Sequence, residues 1–191
     1  MRAVLLALFF ITGCAEKNEA QFQVVRVGGM EWSASNLDVA SYRNGDPVRE
    51  ARTEEEWHEA AGKGEGAWCR YEGAAGPSGG CGRLYSWHAV HDPRGLAPKG
   101  WHVAMEDEWE RLSLVPGGLR SIGVLPCGTR NCLSSFYGYG VSACFWTADS
   151  SGAFEAWDME IASREPERLV RVSVARGLGL SVRCVRDRST Q

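Results

Sequence analysis

The stretch from Cys81 to Leu112 is the part of the chain that most constrains the fold. It combines large aromatic residues with a turn marked by proline and glycine, and a helix start follows. The aromatic residues are Tyr85, Trp87, Trp101 and Trp109. Because such side chains bury large apolar areas, this density predicts a rigid scaffold.

The composition predicts one folded domain. The chain has 191 residues, of which 44% are hydrophobic and eight are tryptophan, enough to build a core. Charged residues make up 24%, which does not favour disorder through excess charge. The 21 basic and 24 acidic residues form no long run of one sign, so we expect no nucleic-acid partner.

The amino terminus predicts export and lipidation. Residues 1–13 contain Arg2 and a nine-residue apolar run, Ala3 to Ile11, which is too short to cross a bilayer. The next residues resemble a bacterial lipobox and end at Cys14, the expected lipidation site; the alternative is an ordinary signal peptide. Residues 14–21 are predicted to be a polar tether, and by resemblance to Gram-negative lipoproteins Ala15 favours the outer membrane. We expect the lipid on Cys14 to hold the protein to the outer membrane or cell surface of a Gram-negative bacterium.

Six cysteines follow the lipobox, an even number in a chain predicted to be exported. Exported compartments are oxidising, so this count favours disulfides, although the sequence alone leaves their pairing open. The cysteines are Cys69, Cys81, Cys127, Cys132, Cys144 and Cys184. The chain has no CxxC pair, and its four histidines lack ligand spacing with the cysteines, so we expect no metal and no cofactor.

Local patterns predict an α+β fold with two short helices and several antiparallel strands. Phe22 to Val27 and Met30 to Trp32 form a hairpin joined by two glycines. A capping box of Thr53 and Glu56 begins a helix over Glu54 to Ala61, with Trp57 and Ala61 facing the core.

A second helix runs from Glu106 to Leu112, with Trp109 and Leu112 on its inner face. Residues 119–141 are predicted as loop and short strand. The last third alternates like strands, in four segments: Cys144 to Thr147, Ala153 to Ile161, Leu169 to Ala175 and Leu180 to Arg186.

Several sequence blocks resemble the Fibrobacter succinogenes major paralogous domain, a family of exported bacterial lipoproteins. They are Trp32 to Leu37, Tyr42 to Pro47, Ala67 to Cys69, Gly82 to Tyr85, Gly95 to Val103, Glu108-Trp109 and Ser181 to Val185. The resemblance covers about residues 24–187 and implies one domain over 22–187 with a tail at 188–191. More distantly, Gly-Trp-His and the terminal Arg-Cys-Val-Arg resemble the formylglycine-generating enzymes, which implies a C-type lectin-like fold.

The resemblance also bears on the disulfides and on the second helix. Cys69 and Cys184 match cysteine positions of the family, which implies that they pair. Cys127 and Cys132 are then expected to close locally, which leaves Cys81 for Cys144. Ala104-Met105 stands where the family usually has Pro-Ser, so the second helix lacks the expected serine cap and should begin about 1 kcal/mol less stably.

Three groups of residues are candidates for catalysis. Cys127 and Cys132 have the four-residue spacing of the formylglycine-generating cysteine pair, which makes an oxidase or hydroxylase an alternative, but Leu133 to Phe136 lack the arginines expected next. His88, His91 and Asp92 could act as a base with an orienting carboxylate, yet no nucleophile motif accompanies them. The acidic run 106–108 is explained by the positive end of its helix.

Aromatic residues suggest binding. Phe136, Tyr137, Tyr139, Phe145, Trp146 and Trp157 are concentrated in the second half, where some would fill the core and others could stack on sugar rings. We assign Tyr137, Tyr139 and Trp157 as candidate ligand contacts. The expected function is a non-catalytic, lipid-anchored binding or adhesion module for a glycan or an envelope protein. A structural envelope lipoprotein without a small ligand is the other alternative.

Overall fold

A computed structural model describes residues 23–71, 80–131 and 135–188. The predicted signal peptide, the tether with Cys14, and Cys132 lie outside these residues, so those predictions stay as they are. No helix in the described ranges is both long and apolar enough to span a membrane.

The described chain forms thirteen strands and four short helices. In chain order, the elements are β1 (Val24–Val27), β2 (Met30–Ser33), β3 (Arg49–Glu50), α1 (Glu54–Gly62), β4 (Ala67–Cys69), β5 (Leu84–Ser86), α2 (Trp87–Val90), β6 (Trp101–Val103), α3 (Glu106–Ser113), α4 (Gly118–Ser121), β7 (Cys127–Arg130), β8 (Phe136–Tyr139), β9 (Ser142–Ser150), β10 (Glu155–Ala162), β11 (Val170–Ala175), β12 (Gly179–Leu180) and β13 (Cys184–Arg186). The α+β prediction is therefore confirmed, with most residues of regular structure in strands.

The strands form two sheets. The four-stranded sheet has the order β1-β2-β13-β6, so the carboxyl-terminal strand β13 lies between the opening hairpin and β6. The nine-stranded sheet has the order β11-β10-β9-β7-β12-β5-β4-β3, with β8 paired to β7. Most neighbours are antiparallel, whereas β3 with β4 and β7 with β9 are parallel.

The local predictions with the strongest sequence signals are confirmed. Strands β1 and β2 pair as a hairpin, and α1 begins at a capping box in which the Glu56 amide donates to the Thr53 hydroxyl. Helix α3 buries Trp109 and Leu112, as predicted. On α1 the buried partner of Trp57 is Ala60, because Ala61 is only partly buried.

Two helices and one strand boundary differ from the predictions. Helices α2 and α4 were not predicted, since each has four residues and shows no period long enough to detect. The last predicted strand divides into β12 and β13.

Tryptophans join the two sheets. Trp109 of α3 packs edge-on against Trp32 of β2, with ring centroids 5.0 Å apart, and lies at the same distance from Phe145 of β9. Trp101 of β6 and Trp146 of β9 share a second cluster with Tyr85. A third, smaller cluster lies around Trp57. Because the first two clusters draw on both sheets, the sheets share their cores.

The disulfide connectivity differs from the predicted one. Cys81 bonds to Cys127, with 5.6 Å between their Cα atoms. The predicted Cys127–Cys132 and Cys81–Cys144 pairs are therefore wrong. The predicted Cys69–Cys184 pair is also wrong, because Cys184 is a buried free thiol. Cys184 lies opposite Val103 in the four-stranded sheet, whereas Cys69 lies opposite Leu84 in the other sheet.

Candidate functional site

An aromatic surface on the β7–β8 hairpin is the strongest candidate for ligand contact. We define the aromatic face as Tyr71, Phe136, Tyr137 and Tyr139. The Tyr71 ring lies 5.1 Å from that of Phe136 and 5.4 Å from that of Tyr139, so the three form one cluster. Tyr137 lies on the same strand, next to Phe136, and is 50% exposed. The hairpin therefore carries a packed aromatic cluster and, on the same strand, a half-exposed tyrosine ring.

Glycine at position 128 allows this packing. Gly128 lies on β7 with φ +65°, a conformation that other residues rarely adopt. A Cβ there would lie 2.9 Å from the Tyr71 ring and closer still to the carbonyl oxygen of Tyr137. The absence of a side chain lets the Tyr71 ring and strand β8 come close to β7 together.

The base of the aromatic face is held from inside the protein. Buried Arg130 places its guanidinium 4.6 Å from the Trp57 ring and 5.3 Å from that of Phe136. It donates hydrogen bonds to the carbonyl oxygens of Ala51 and Thr53, at 3.0 and 2.9 Å. The Arg130 guanidinium thus links strand β7 to the amino-terminal end of α1.

The disulfide holds the other end of β7. Next to it, the Asn36 amide donates to the Cys81 carbonyl oxygen at 3.0 Å and to the Ser181 hydroxyl at 3.2 Å. Together with Arg130, this arrangement fixes the strand that carries β8.

An open cleft lies beside the aromatic face. Its volume is about 240 Å³, and Leu119, Val124, Pro126, Ala143, Ile161 and Pro166 supply its apolar walls. Ser163 and Arg120 supply polar groups, and Arg120 forms an ion pair with Glu167. The Gly140 backbone, next to Tyr139, bonds to both Pro126 and Ser163. The cleft and the face are therefore neighbours.

The third predicted ligand residue, Trp157, does not join this face. Across the sheet, Gly128 of β7 lies opposite Ala143 of β9, and Ala143 pairs with Ile161 of β10. Trp157 is four residues before Ile161 on β10, and four residues of strand span about 13 Å, so Trp157 lies far along the strand from Gly128. The Arg171 guanidinium stacks 4.5 Å from the Trp157 ring. Tyr137 and Tyr139 are thus brought together, and Trp157 is not.

The candidate histidine base does not acquire the expected orienting carboxylate. The carboxylate of Asp92 accepts hydrogen bonds from Arg94 at 2.8 to 2.9 Å, and the His91 ring stacks on Trp87 at 4.3 Å. Burial, followed by the charge of Arg176, lowers the pKa of His88. Packing and ion pairing therefore explain the positions of His88, His91 and Asp92 without a catalytic role.

The acidic run at the start of α3 is also engaged in contacts. Glu106 pairs with Arg171, Asp107 with Arg111, and Glu108 with His102. The cysteine alternative gains no support from Cys127, whose sulfur is buried and bonded to Cys81.

Three potential metal ligands converge between β9 and β10. Atoms of Cys144, Asp158 and Glu160 lie within 4.8 Å of one another, the one such group in the described residues. Burial raises the pKa of the Cys144 thiol, and it raises that of Asp158 to about 8 with help from the charge of Glu160. Two of the three groups therefore keep their protons near neutral pH, so a metal would have to displace both protons.

The structure contains two polar networks that the sequence does not predict. His102 binds Asp187 through Nδ1 at 2.8 Å and Glu108 through Nε2 at 3.0 Å. Arg183, 1% exposed, donates to the side chain of Asn36 and to three backbone carbonyl groups. His102 belongs to the Gly-Trp-His segment and Arg183 to the Arg-Cys-Val-Arg segment, and the sequence marks both segments only through the family resemblance.

The fold and these sites define a disulfide-bonded α+β domain. The model of the Fibrobacter succinogenes major domain matches residues 25–121, and the chain belongs to that family. No curated protein matches the sequence.

Proposed function

We propose that this protein is a non-catalytic binding module, held by a lipid on Cys14 at the outer membrane or cell surface, and that its ligand is a carbohydrate. The observation that carries the proposal is the half-exposed Tyr137 ring on strand β8, the strand that also supplies Phe136 and Tyr139 to the packed aromatic cluster. An aromatic ring can cover the apolar face of a sugar while its hydroxyl bonds to the sugar's own hydroxyls. The neighbouring cleft adds Ser163 and Arg120 as polar contacts.

Rigidity supports the same proposal. The disulfide, Gly128 and Arg130 hold β7 and β8, so the rings need little ordering when a ligand binds. Each carboxylate of the rival histidine and acidic groups already has a partner within the domain.

The finer fold assignment is part of the proposal. We place the domain among C-type lectin-like folds, related to the formylglycine-generating enzymes. In support, the two segments that carry this distant resemblance lie side by side, since Trp101–Val103 of β6 pairs with Cys184–Arg186 of β13. Superposing an experimental structure on a formylglycine-generating enzyme tests the assignment, and a different order of the paired strands would refute it.

A polysaccharide and glycan array tests the function. The full chain, produced under oxidising conditions, is applied with calcium and with chelator, and hits are measured by calorimetry. We expect saturable binding that Tyr137→Ala weakens about tenfold, which corresponds to roughly 1.4 kcal/mol. Phe154→Ala is the matched control, because Phe154 is more exposed than Tyr137 but lies on the β9–β10 turn, away from the face.

The possible failures are informative. Binding that both variants weaken equally would exclude the aromatic face, and no binding by folded protein would favour an envelope role without a small ligand.

A further inference from the structure

Strand β11 forms an open edge of the nine-stranded sheet. It pairs with β10 on one side, and no strand in the described residues pairs with its other side. Proteins usually protect such edges with lysine, proline, a bulge or a covering segment, because unpaired backbone groups recruit other strands. The sequence of β11, Val-Arg-Val-Ser-Val-Ala, has no lysine or proline, and Arg171 is its one charged residue. Its outer edge is therefore open to another strand.

The side chains of β11 divide cleanly between the two faces of the sheet. Val170, Val172 and Val174 alternate along one face and are all at least partly exposed. Arg171 lies on the other face, stacked over Trp157 and paired with Glu106. The Arg171 side chain nevertheless stays 47% exposed, and a row of valines accompanies the free edge.

We propose that β11 pairs antiparallel with β11 of a second copy of the chain, about a twofold axis between the two Val172 residues. Such an axis stands perpendicular to the sheet, so residues that face each other must share a face. In this register Val172 faces Val172, and Val170 faces Val174. Cross-strand pairs of β-branched residues stabilise a sheet.

The charges select this register. Arg171 of the second copy faces Ser173, whose hydroxyl donates to Glu155 at 2.7 Å, so the positive charge meets an acidic neighbour. An axis at Arg171 would instead place two arginines opposite each other, which is unfavourable. An axis at Ser173 would leave Val170 without a facing residue on the strand. The register centred on Val172 satisfies both conditions.

The assembly is small, so we expect a weak dimer. In this register five strand residues from each copy, 170–174, face each other, below the area typical of permanent dimers. The inference is independent of the proposed carbohydrate site, because the aromatic face lies on β8, at another part of the sheet.

Cysteine crosslinking tests the pairing and its register. In the full chain, Val172→Cys places two thiols opposite each other, with Cβ atoms about 5 Å apart. Under mild oxidation we expect a covalent dimer whose 172–172 bond is identified by mass spectrometry. Val174→Cys is the matched control, because it faces Val170 and should give no more dimer than the unmodified chain. Equal crosslinking of both variants and the unmodified chain would overturn the proposal.

Two substitutions of opposite charge at Ser173 provide a second test of the pairing. Ser173 is exposed, and both Ser173→Lys and Ser173→Glu remove the same hydroxyl bond to Glu155. Lysine would face Arg171 of the second copy, and we expect dimer dissociation constants at least tenfold higher by sedimentation. Glutamate would face the same arginine, and we expect tighter dimers. Monomer in all three proteins, or equal effects of both charges, would contradict the proposed contact.

Discussion

At the residue scale, Asp158 is the most unusual group in the domain. It is 5% exposed on β10, and one carboxyl oxygen accepts the Phe145 amide at 3.1 Å. Burial and then the charge of Glu160 raise its pKa to about 8, against the lowering effect of that hydrogen bond. The folded protein therefore holds a proton that the unfolded chain releases near pH 4.

This raised pKa predicts a pH-dependent stability. A group with a raised folded pKa stabilises fully below its unfolded pKa, and the contribution disappears as the pH rises to about 8. We expect Asp158→Asn to be more stable than the natural protein by an amount that grows from pH 4 to pH 8. At about 1.4 kcal/mol per pKa unit, the difference at pH 8 should reach several kcal/mol. Denaturant unfolding at each pH measures it.

Glu160→Gln provides the control for this prediction. Removing the neighbouring charge should lower the pKa of Asp158 and move the loss of stability to lower pH. If Asp158→Asn follows the same pH profile as the natural protein, Asp158 does not hold its proton in the fold.

At the element scale, helix α3 shows how a missing cap is replaced. Ala104-Met105 supplies no serine, but a carboxyl oxygen of Asp149, at the end of β9, accepts the Glu106 amide at 2.8 Å. Glu108 accepts the Met105 amide at 3.0 Å. The weak helix start that the sequence predicts is thus offset by a side chain 43 residues away.

We expect Asp149→Ala to lower the free energy of unfolding by about 1 kcal/mol, because the Glu106 amide would lose its acceptor. Asp107→Ala is the matched control: its exposed pair with Arg111 should contribute only a few tenths of a kcal/mol. Chemical denaturation of both variants measures the difference. Equal losses would mean that Asp149 does not cap the helix.

His102 connects α3 to the end of β13. The hydrogen bond with Glu108 raises its pKa, burial opposes this, and Asp187 adds to the increase. Burial opposes ionisation of Glu108, but the bonds from His102 and the Met105 amide outweigh it and lower its pKa. The pair therefore stabilises most between the ordinary values of 4.5 and 6.5. Its stability is lost as pH rises through the folded pKa of His102 or falls through that of Glu108.

We expect His102→Gln to cost about 1 kcal/mol at pH 6 and less at pH 9, because the natural histidine loses its charge as the pH rises through its folded pKa. Thermal melts at the two pH values compare the variants. Asp187→Asn should lose a smaller part, since the Asp187 side chain is 49% exposed, whereas that of Glu108 is 6% exposed. A cost of His102→Gln that does not change with pH would show that packing, not charge, carries the contact.

At the scale of the whole molecule, the Cys81–Cys127 bond closes a sequence separation of 46 residues that includes α2, β6, α3 and α4. Closing a loop of this length restricts the unfolded chain and should stabilise the fold by about 4 kcal/mol.

Reduction should therefore lower the melting temperature of the natural protein. The double variant Cys81→Ala with Cys127→Ala should melt at the lower temperature whether or not reductant is present. Melting that reductant does not change in the natural protein would contradict the bond.

Whether a feature could be predicted depends on the sequence separation of the residues that form it. The β1–β2 hairpin, the Thr53 capping box and the inner face of α3 depend on residues within one turn or one helical repeat, so their patterns are visible locally. The short helices α2 and α4 lack such a repeat. The cysteine count favoured disulfides, yet pairing depends on Cα distances, which no pattern in the sequence encodes.

The amino-acid sequence by itself determined the α+β class, the family membership, the principal helices and the strand-rich last third, because these follow from neighbouring residues and ordered motifs. Only the tertiary structure decided that β13 lies between β2 and β6, that Cys81 meets Cys127, and that Trp157 stands apart from Tyr137 and Tyr139. It also decided that the Asp158 carboxyl is buried beside Glu160. These outcomes depend on contacts between distant segments, which form only when both sheets pack around their shared cores.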